Sequence, residues 1–351
     1  MKKWIPALLA ALFIWNIGLT ITLVSNNSGA SPSATAESSE EVNARKYLSD
    51  VTSIVDSSRI SLVRINSYTD ERMTVGNGVI YSNVDNIVYI FVPYSLVHGA
   101  SYQTVTFDSG VTIDGYLIGE DFTTGLALLA CYPTFSVRTM TLGNSDTVVD
   151  GQYVAAVSAR RQENAAAVSA FGIVSSSGMY RTSILSRIYT DLLAVDFSIT
   201  EDMYGGALLN IKGEVVGLVT SAPFQGITGC GYAVSINEAK LVYEQLLYKG
   251  SVTRGNPGIV YREVSYMESY EKNQLDIPLD QNTGMLVTYV WDEGAAQHTL
   301  KEGDVILSAD GEELTTSQVF RKVLYSHNPG DTVDLVYLSS GEQHSISLML
   351  K

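Results

Sequence analysis

Between Arg59 and Val234 the chain keeps breaking into short runs dense in Val, Ile, Tyr and Thr. Residues 61–65, 78–81, 88–92, 104–107, 126–130, 153–157, 192–195, 208–209 and 215–219 form such runs, each bounded by turn residues. Runs this short do not make core helices, and β-branched and aromatic side chains suit a pleated, half-buried surface. Many short strands at regular spacing argue for a barrel or a sandwich. The span is long enough for two small barrels.

What flanks this core reads differently. Lys2 and Lys3 precede an apolar run over 5–24, interrupted only by Asn16, Thr20 and Thr22. About 20 residues is what a helix needs to cross a bilayer, and the leading lysines favour a cytoplasmic start. A cleaved signal peptide is the rival reading. Its apolar region usually runs about 7–15 residues with a small-x-small site directly after, whereas Ala34-Thr35-Ala36 lies well past the run. The length favours an uncleaved anchor over 1–24. Residues 25–45 are rich in Ser, Ala, Asn and Glu and read as a disordered tether.

After the β-rich span comes a helix, with Asn237 as its expected N-cap, Ala239, Val242 and Leu246 on one face and Gly250 as its stop. This bounds a first domain at 46–250. A short linker leads to a second domain over 255–351, which mixes strands with a helix around 316–326.

Net charge is -15, from 22 basic and 37 acidic residues, with no basic patch. That excludes nucleic acid as a partner class and disfavours tight adhesion to anionic lipid. Cys131 and Cys230 are far apart and lack CxxC neighbours, so neither a zinc site nor a thioredoxin motif is expected. They are open to pairing or to remaining free thiols. Four scattered histidines show no HExxH spacing, and no metal or cofactor is expected.

The chemistry-bearing stretch is Glu201-Asp202-Met203-Tyr204-Gly205-Gly206-Ala207-Leu208-Leu209-Asn210, a tight loop running into a buried strand. Taken with Gly76-Asn77-Gly78-Val79-Ile80, with 89–100, with 117–129 and with 194–199, it resembles the HtrA/DegP-like trypsin-fold serine proteases. The Leu-x-x-Gly-Asp-Val-Ile pattern of 300–306 resembles the PDZ domain that follows the protease in that family. The resemblance covers roughly 46–351. It implies a mainly β fold, a trypsin-like double β-barrel followed by a PDZ-like α+β domain, behind an N-terminal transmembrane helix.

The family's chemistry needs a serine nucleophile, a histidine base and an orienting aspartate, with loop N–H groups holding the oxyanion. Position by position, the histidine falls on Ser95, the aspartate on Gly125 and the serine on Tyr204. An alcohol is no base near neutral pH, glycine has no side chain, and a tyrosine ring is expected to fill the pocket. Asp202, Met203 and Gly205 complete the oxyanion loop, and the Asp202 carboxylate is expected near the oxyanion position. No substitute triad emerges from His98, Asp121 or Ser198. His98 reads as an exposed or capping residue, and His298, His327 and His344 as surface groups of the second domain.

In the PDZ-like domain the family's carboxylate-binding loop maps to Asn256-Pro257-Gly258-Ile259, where Pro257 lacks an N–H. Polypeptides or peptide C-termini are the expected partners, the membrane a further one through the N-terminal helix. The resemblance also implies a homotrimer or assembly with an active relative. The reading is a single-pass, membrane-anchored, extracytoplasmic pseudoprotease in envelope protein quality control. The alternative is an active serine endopeptidase of the same family.

Overall fold

The computed structural model describes residues 51–160, 167–182, 189–220 and 229–351. The first barrel comprises β1 (Leu62–Tyr68), β2 (Met73–Val84), β3 (Ile87–Pro93), β4 (Tyr102–Thr106), β5 (Thr112–Asp121) and β6 (Leu126–Cys131). All its pairings are antiparallel, and it closes in the order β1-β2-β3-β6-β5-β4. Closure removes the sheet edges that would otherwise recruit other chains.

Alternation along the strands gives each face its own task. Val88, Ile90 and Val92 on β3 and Ala127, Leu129 and Cys131 on β6 fill the barrel interior. The intervening Phe91, Leu126 and Leu128 turn outward into a second cluster. β6 is therefore buried on both faces, which is why 126–131 reads as an unbroken apolar run.

The second barrel comprises β7 (Tyr153–Val157), β8 (Ser169–Thr182), β9 (Tyr189–Val195), β10 (Ala207–Asn210), β11 (Val215–Thr220) and β12 (Gly231–Ser235). It closes in the order β10-β11-β12-β9-β8-β7. Val154, Ala156, Leu193, Val195 and Leu208 pack inside it. Ala155, Val157, Leu192, Leu209 and Leu218 face the first barrel, so Phe91, Leu128 and these residues form one shared core. Each fully buried Leu or Phe there contributes about 1.5–3 kcal/mol of apolar transfer. The junction of the barrels is thus a buried apolar core of its own.

Two short helices frame this core: α1 (Tyr94–Val97) follows β3, and α2 (Ile236–Lys249) follows β12. Ala239, Val242 and Leu246 of α2 cover the shared core, as their spacing implies. Gly250 ends the helix in the left-handed region at φ 73°, its N–H donating to the Leu246 carbonyl. The start differs from expectation. Ser235 is the N-cap, and the Asn237 side chain instead donates to Asn144 and Asp146 across the domain. A capping residue type within the first turn is a weaker signal than the tertiary partners competing for it.

The C-terminal module contains β13 (Ile259–Glu263), α3 (Ser269–Gln274), β14 (Met285–Val290), β15 (Val305–Ala309), β16 (Glu312–Glu313), α4 (Ser317–Tyr325), β17 (Thr332–Ser339) and β18 (Glu342–Met349). The sheet runs β13-β14-β15-β17-β18, with β16 paired to β15. Phe320 and Leu324 of α4 pack on it with Met285, Ile306, Val333 and Leu335. Thr316 caps α4, its hydroxyl accepting from the Val319 N–H.

The apolar stretch expected as an anchor and the tether after it lie outside the described residues. Among the described residues no helix is long and apolar enough to cross a membrane. Cys131 and Cys230 are both free thiols, Cys131 buried and Cys230 half-buried. That resolves the open alternative in favour of no pairing.

Candidate functional site: the barrel junction

Three segments meet where the barrels join. The end of β3 and α1 carry Pro93 and Ser95, the turn between β5 and β6 carries Gly125, and the turn before β10 carries Tyr204 and Gly205. Pro93, Gly125 and Gly205 line one cavity with Phe91, Val92, Leu126 and the end of β11, Leu218 to Thr220. Its volume is about 10 Å³, room for one water molecule. The Tyr94 N–H donates to the Gly125 carbonyl at 2.8 Å, tying α1 to the β5–β6 turn. The sequence positions 95, 125 and 204 therefore belong to one junction.

The side chains at those positions differ in setting. Ser95 is exposed. Gly125 contributes only backbone, at φ 72°. Tyr204 is half-buried and packs against the second-barrel core, as Phe197 and Ile199 also do. Ser198, exposed on the segment before the loop, lies outside the lining.

The loop before β10 is a single 3₁₀ turn, Glu201–Met203, held from several sides. The Tyr204 N–H donates to the Glu201 carbonyl at 3.2 Å, and the Gly206 N–H donates to that of Met203 at 2.9 Å. The Gly205 N–H donates to Val219 of β11 at 3.0 Å. Met203 is buried in the second-barrel core. The Asp202 carboxylate lies 3.7 Å from the Arg64 guanidinium. Gly205 sits at φ 78°, and a Cβ there would overlap the Asn77 carbonyl oxygen, so this position accepts only glycine.

Asn77 is a residue whose role the sequence did not disclose. It is wholly buried on β2. Its side-chain amide donates to the carbonyls of Asp202 and Tyr204, both at 2.8 Å, and its Oδ1 accepts from the Ala159 N–H at 3.1 Å. One side chain thus staples the first barrel to two segments of the second. The Gly-Asn-Gly triplet around it was the only signal, since a polar residue between two glycines inside a strand pattern marks close backbone approach.

His98 is exposed and is the C-cap residue of α1, as expected. Its Nδ1 meets Glu120 Oε1 at 2.9 Å and its ring stacks on Tyr94 at 4.5 Å. The imidazole remains 55% exposed, outside the junction's lining. His298 and His344 are exposed, whereas His327 is half-buried with Nε2 3.1 Å from Asp310. Among the described residues no group of three or more His, Cys, Asp or Glu is arranged to hold a metal.

Asp121, which offers no substitute triad in the sequence, is buried at the end of β5. It forms a two-pronged ion pair with Arg254 of the linker to the C-terminal module. The N–H groups of Thr123 and Thr124 and the Thr124 hydroxyl also donate to it. Burial alone would push its carboxyl up. The Arg254 guanidinium and Thr124 outweigh that and hold it below the usual aspartate value. The turn that carries Gly125 is therefore tied directly to the linker.

In the C-terminal module the loop 256–259 is closely engaged with its own surroundings. The Asn256 N–H donates to the Lys351 carbonyl at 2.9 Å, and the Lys351 N–H donates back to Asn256 at 3.1 Å. The Gly258 N–H donates to Asn256 Oδ1 at 2.8 Å, and Pro257 has none to offer. The Pro257 and Gly258 carbonyls accept from Ala296 and Trp291. Ile259 begins β13, paired with Val290 of β14.

Two barrels with a site at their junction define the class: a trypsin-like peptidase domain, matched over residues 76–218, followed by a PDZ domain, matched over residues 265–350. The chain is 27% identical over 288 residues to a serine protease Do-like HtrA of Lactobacillus helveticus, covering 80% of this chain and 69% of that one. It is 30% identical over 290 residues to a probable periplasmic serine endoprotease, DegP-like, of Halomonas elongata, covering 80% and 57%. A solved structure of the HtrA-type protease AlgW with a tripeptide superimposes with a TM-score of 0.65 at 24% identity, covering 85% of this chain and 96% of that one. The chain belongs to the HtrA/DegP-like family of trypsin-fold serine proteases.

Proposed function

We propose that this chain is a pseudoprotease of the HtrA family, a barrel pair kept as a folded platform that binds polypeptide without cleaving it. The observation that carries the reading is Tyr204, which stands where the family's serine falls. Its ring is packed on the second-barrel core and its N–H is spent within the loop. Ser95 and Gly125, where the base and its orienting acid fall, bring neither a base nor a carboxylate to the junction. His98 is paired with Glu120 instead.

Polypeptides or peptide C-termini are the proposed partners, through the C-terminal module at Asn256, Pro257, Gly258 and Ile259. AlgW structures contain a tripeptide and a decapeptide, which supports peptide binding in this family. Anchoring through 5–24, an extracytoplasmic site, and homotrimers or assembly with an active relative complete the proposal.

The rival reading, an active serine endopeptidase, is favoured by the names its relatives carry. One experiment separates them. The purified chain is incubated with casein and, in parallel, with a serine-reactive phosphonate probe. The pseudoprotease reading expects intact casein and no labelling. Turnover abolished by a serine-directed inhibitor sinks it.

A further inference from the structure

A loop captures a carboxylate with main-chain N–H groups that converge on one point and are still able to donate. The loop 256–259 lacks or spends most of its own. The Asn256 N–H donates to the Lys351 carbonyl at 2.9 Å, and Pro257 has no N–H. The Pro257 carbonyl accepts from the Ala296 N–H at 2.9 Å. In a planar trans peptide this turns the Gly258 N–H the opposite way. There it meets the Asn256 side chain and donates to Oδ1 at 2.8 Å. An amide oxygen of the chain itself therefore stands where a ligand oxygen would be bound. The Gly258 carbonyl is held in turn by the Trp291 N–H at 2.9 Å, so the Ile259 N–H also points outward. Of the four residues, Ile259 alone turns an N–H outward that the loop itself does not use.

Close packing fixes the loop in this state. A Cβ at Gly255 would overlap Leu350, and one at Gly258, which sits at φ 73°, would overlap Gly294. Charge points the same way. Residues 255–351 include 15 acidic and 6 basic residues. The cations around the loop are engaged elsewhere. Arg262 pairs with Glu271 at 2.8 Å, and Arg321 Nε donates to Glu238 Oε1 of α2 at 2.6 Å. The Lys351 ammonium donates to the Glu293 carbonyl, and Arg254 is paired with Asp121. An anionic chain end would be desolvated beside an acidic module with one N–H to receive it. The strand after the loop offers another mode. β13 stands at the edge of its sheet, paired with β14 on one side. Strand addition at an edge uses the main chain of the ligand and needs no terminal charge.

We propose that Asn256 and Pro257 make the C-terminal module blind to a terminal carboxylate, so that it takes extended segments from the interior of a polypeptide. The inference rests on the peptide-binding reading above and narrows its ligand from chain ends to chain interiors. Asn256 Oδ1 takes the place of the ligand oxygen, Pro257 withdraws a donor, and the edge of β13 supplies the pairing. Neutral or basic segments fit the acidic module better than acidic ones. An unfolded chain offers such segments along its whole length, whereas it has one C-terminus.

The test is retention of a pooled decapeptide library on the immobilised full chain, each sequence present as the free acid and as the C-terminal amide, read by mass spectrometry. The two forms are expected to be retained within about threefold of each other, the mark of a site where the charged end makes no hydrogen bond. Asn256→Ala with Pro257→Leu returns two N–H donors. That variant is expected to favour the acid by at least about tenfold, the size of one hydrogen bond to a charged group. A tenfold acid preference in the unmodified chain, or an unchanged ratio in the double variant, overturns the proposal. Retention of neither form by the unmodified chain defeats the peptide-binding reading. The loop is then judged on the double variant, where a gain of the acid form upholds the proposal and no gain overturns it. Asn256→Ala alone is the second check, because it leaves Pro257 and the loop's backbone as they are. Amide hydrogen exchange on the full chain is expected to find the Gly258 N–H protected, and at least about tenfold less so in N256A. Equal exchange in the two chains overturns the proposal.

Discussion

The main-chain N–H and the side-chain amide of Asn77 both end on the carbonyl oxygen of Tyr204, each at 2.8 Å. A strand of the first barrel therefore fixes the loop of the second without contributing a reactive group. The staple explains how the loop stays closed with a tyrosine in it. Its shape depends on backbone carbonyls that any residue supplies, not on the side chain at 204.

Removing the staple is expected to be costly. Asn77→Ala leaves the Asp202 carbonyl and the Ala159 N–H without their buried partner, and about 2–4 kcal/mol of stability goes with them. Asn77→Asp is worse near neutral pH, because it sets a carboxylate against two carbonyl oxygens. Urea unfolding followed by circular dichroism measures both; a loss under about 1 kcal/mol for Asn77→Ala contradicts the staple.

The Asp121–Arg254 pair makes a second prediction. Both groups are buried, so Arg254→Met strands a carboxylate and is expected to cost about 3–5 kcal/mol. Asp121→Asn added to it recovers part of that loss, because no bare charge remains. Since the Asp121 carboxyl is held below its ordinary value, its contribution is complete above about pH 4 and fades only as pH falls through the lower folded value. Stability from this pair is flat between pH 5 and 8. A double-mutant cycle at pH 5 and pH 8 checks that the coupling is the same at both.

The thiols give a third. Burial pushes the Cys131 thiol up to about 12, so almost none of it is thiolate at pH 8. Cys230, half-buried at the edge of β12, is expected to react first with a disulfide reagent, and Cys131 only when the first barrel opens. Equal rates for the two in the folded chain contradict this packing.

The double-barrel architecture was legible because both barrels bury their strands at regular spacing. Runs such as 126–131 and 215–219 stand out for being apolar on two faces. The junction was legible too, since the loop at 201–210 keeps glycines where the Asn77 carbonyl approaches. What the sequence hid were long-range polar partners. Asn77, Asp121, Glu238 and Arg321 carry no periodic signal, and their partners lie tens of residues away, so a linker arginine such as Arg254 reads as solvated. The helix start was misplaced by two residues for the same reason: Asn237 had remote partners that outcompeted its own turn.

The last prediction concerns rebuilding the site. Ser95→His, Gly125→Asp and Tyr204→Ser together restore the three side chains the family uses, yet little turnover is expected. Gly125 stands at φ 72°, where an aspartate pays about 1–2 kcal/mol in backbone strain, so the turn will resist presenting it. Asp202 is the deeper obstacle. In the tight Glu201–Met203 turn the N–H of residue 204 is engaged with Glu201, and a carboxylate two residues before the nucleophile opposes any developing oxyanion. Asp202→Gly removes that charge and lets the turn rearrange. The quadruple variant is therefore expected to exceed the triple by at least tenfold in hydrolysis of a casein substrate, the size of effect one oxyanion contact carries. Strong cleavage by the triple variant alone shows that the loop was never the barrier and returns the weight to the side chains at 95, 125 and 204.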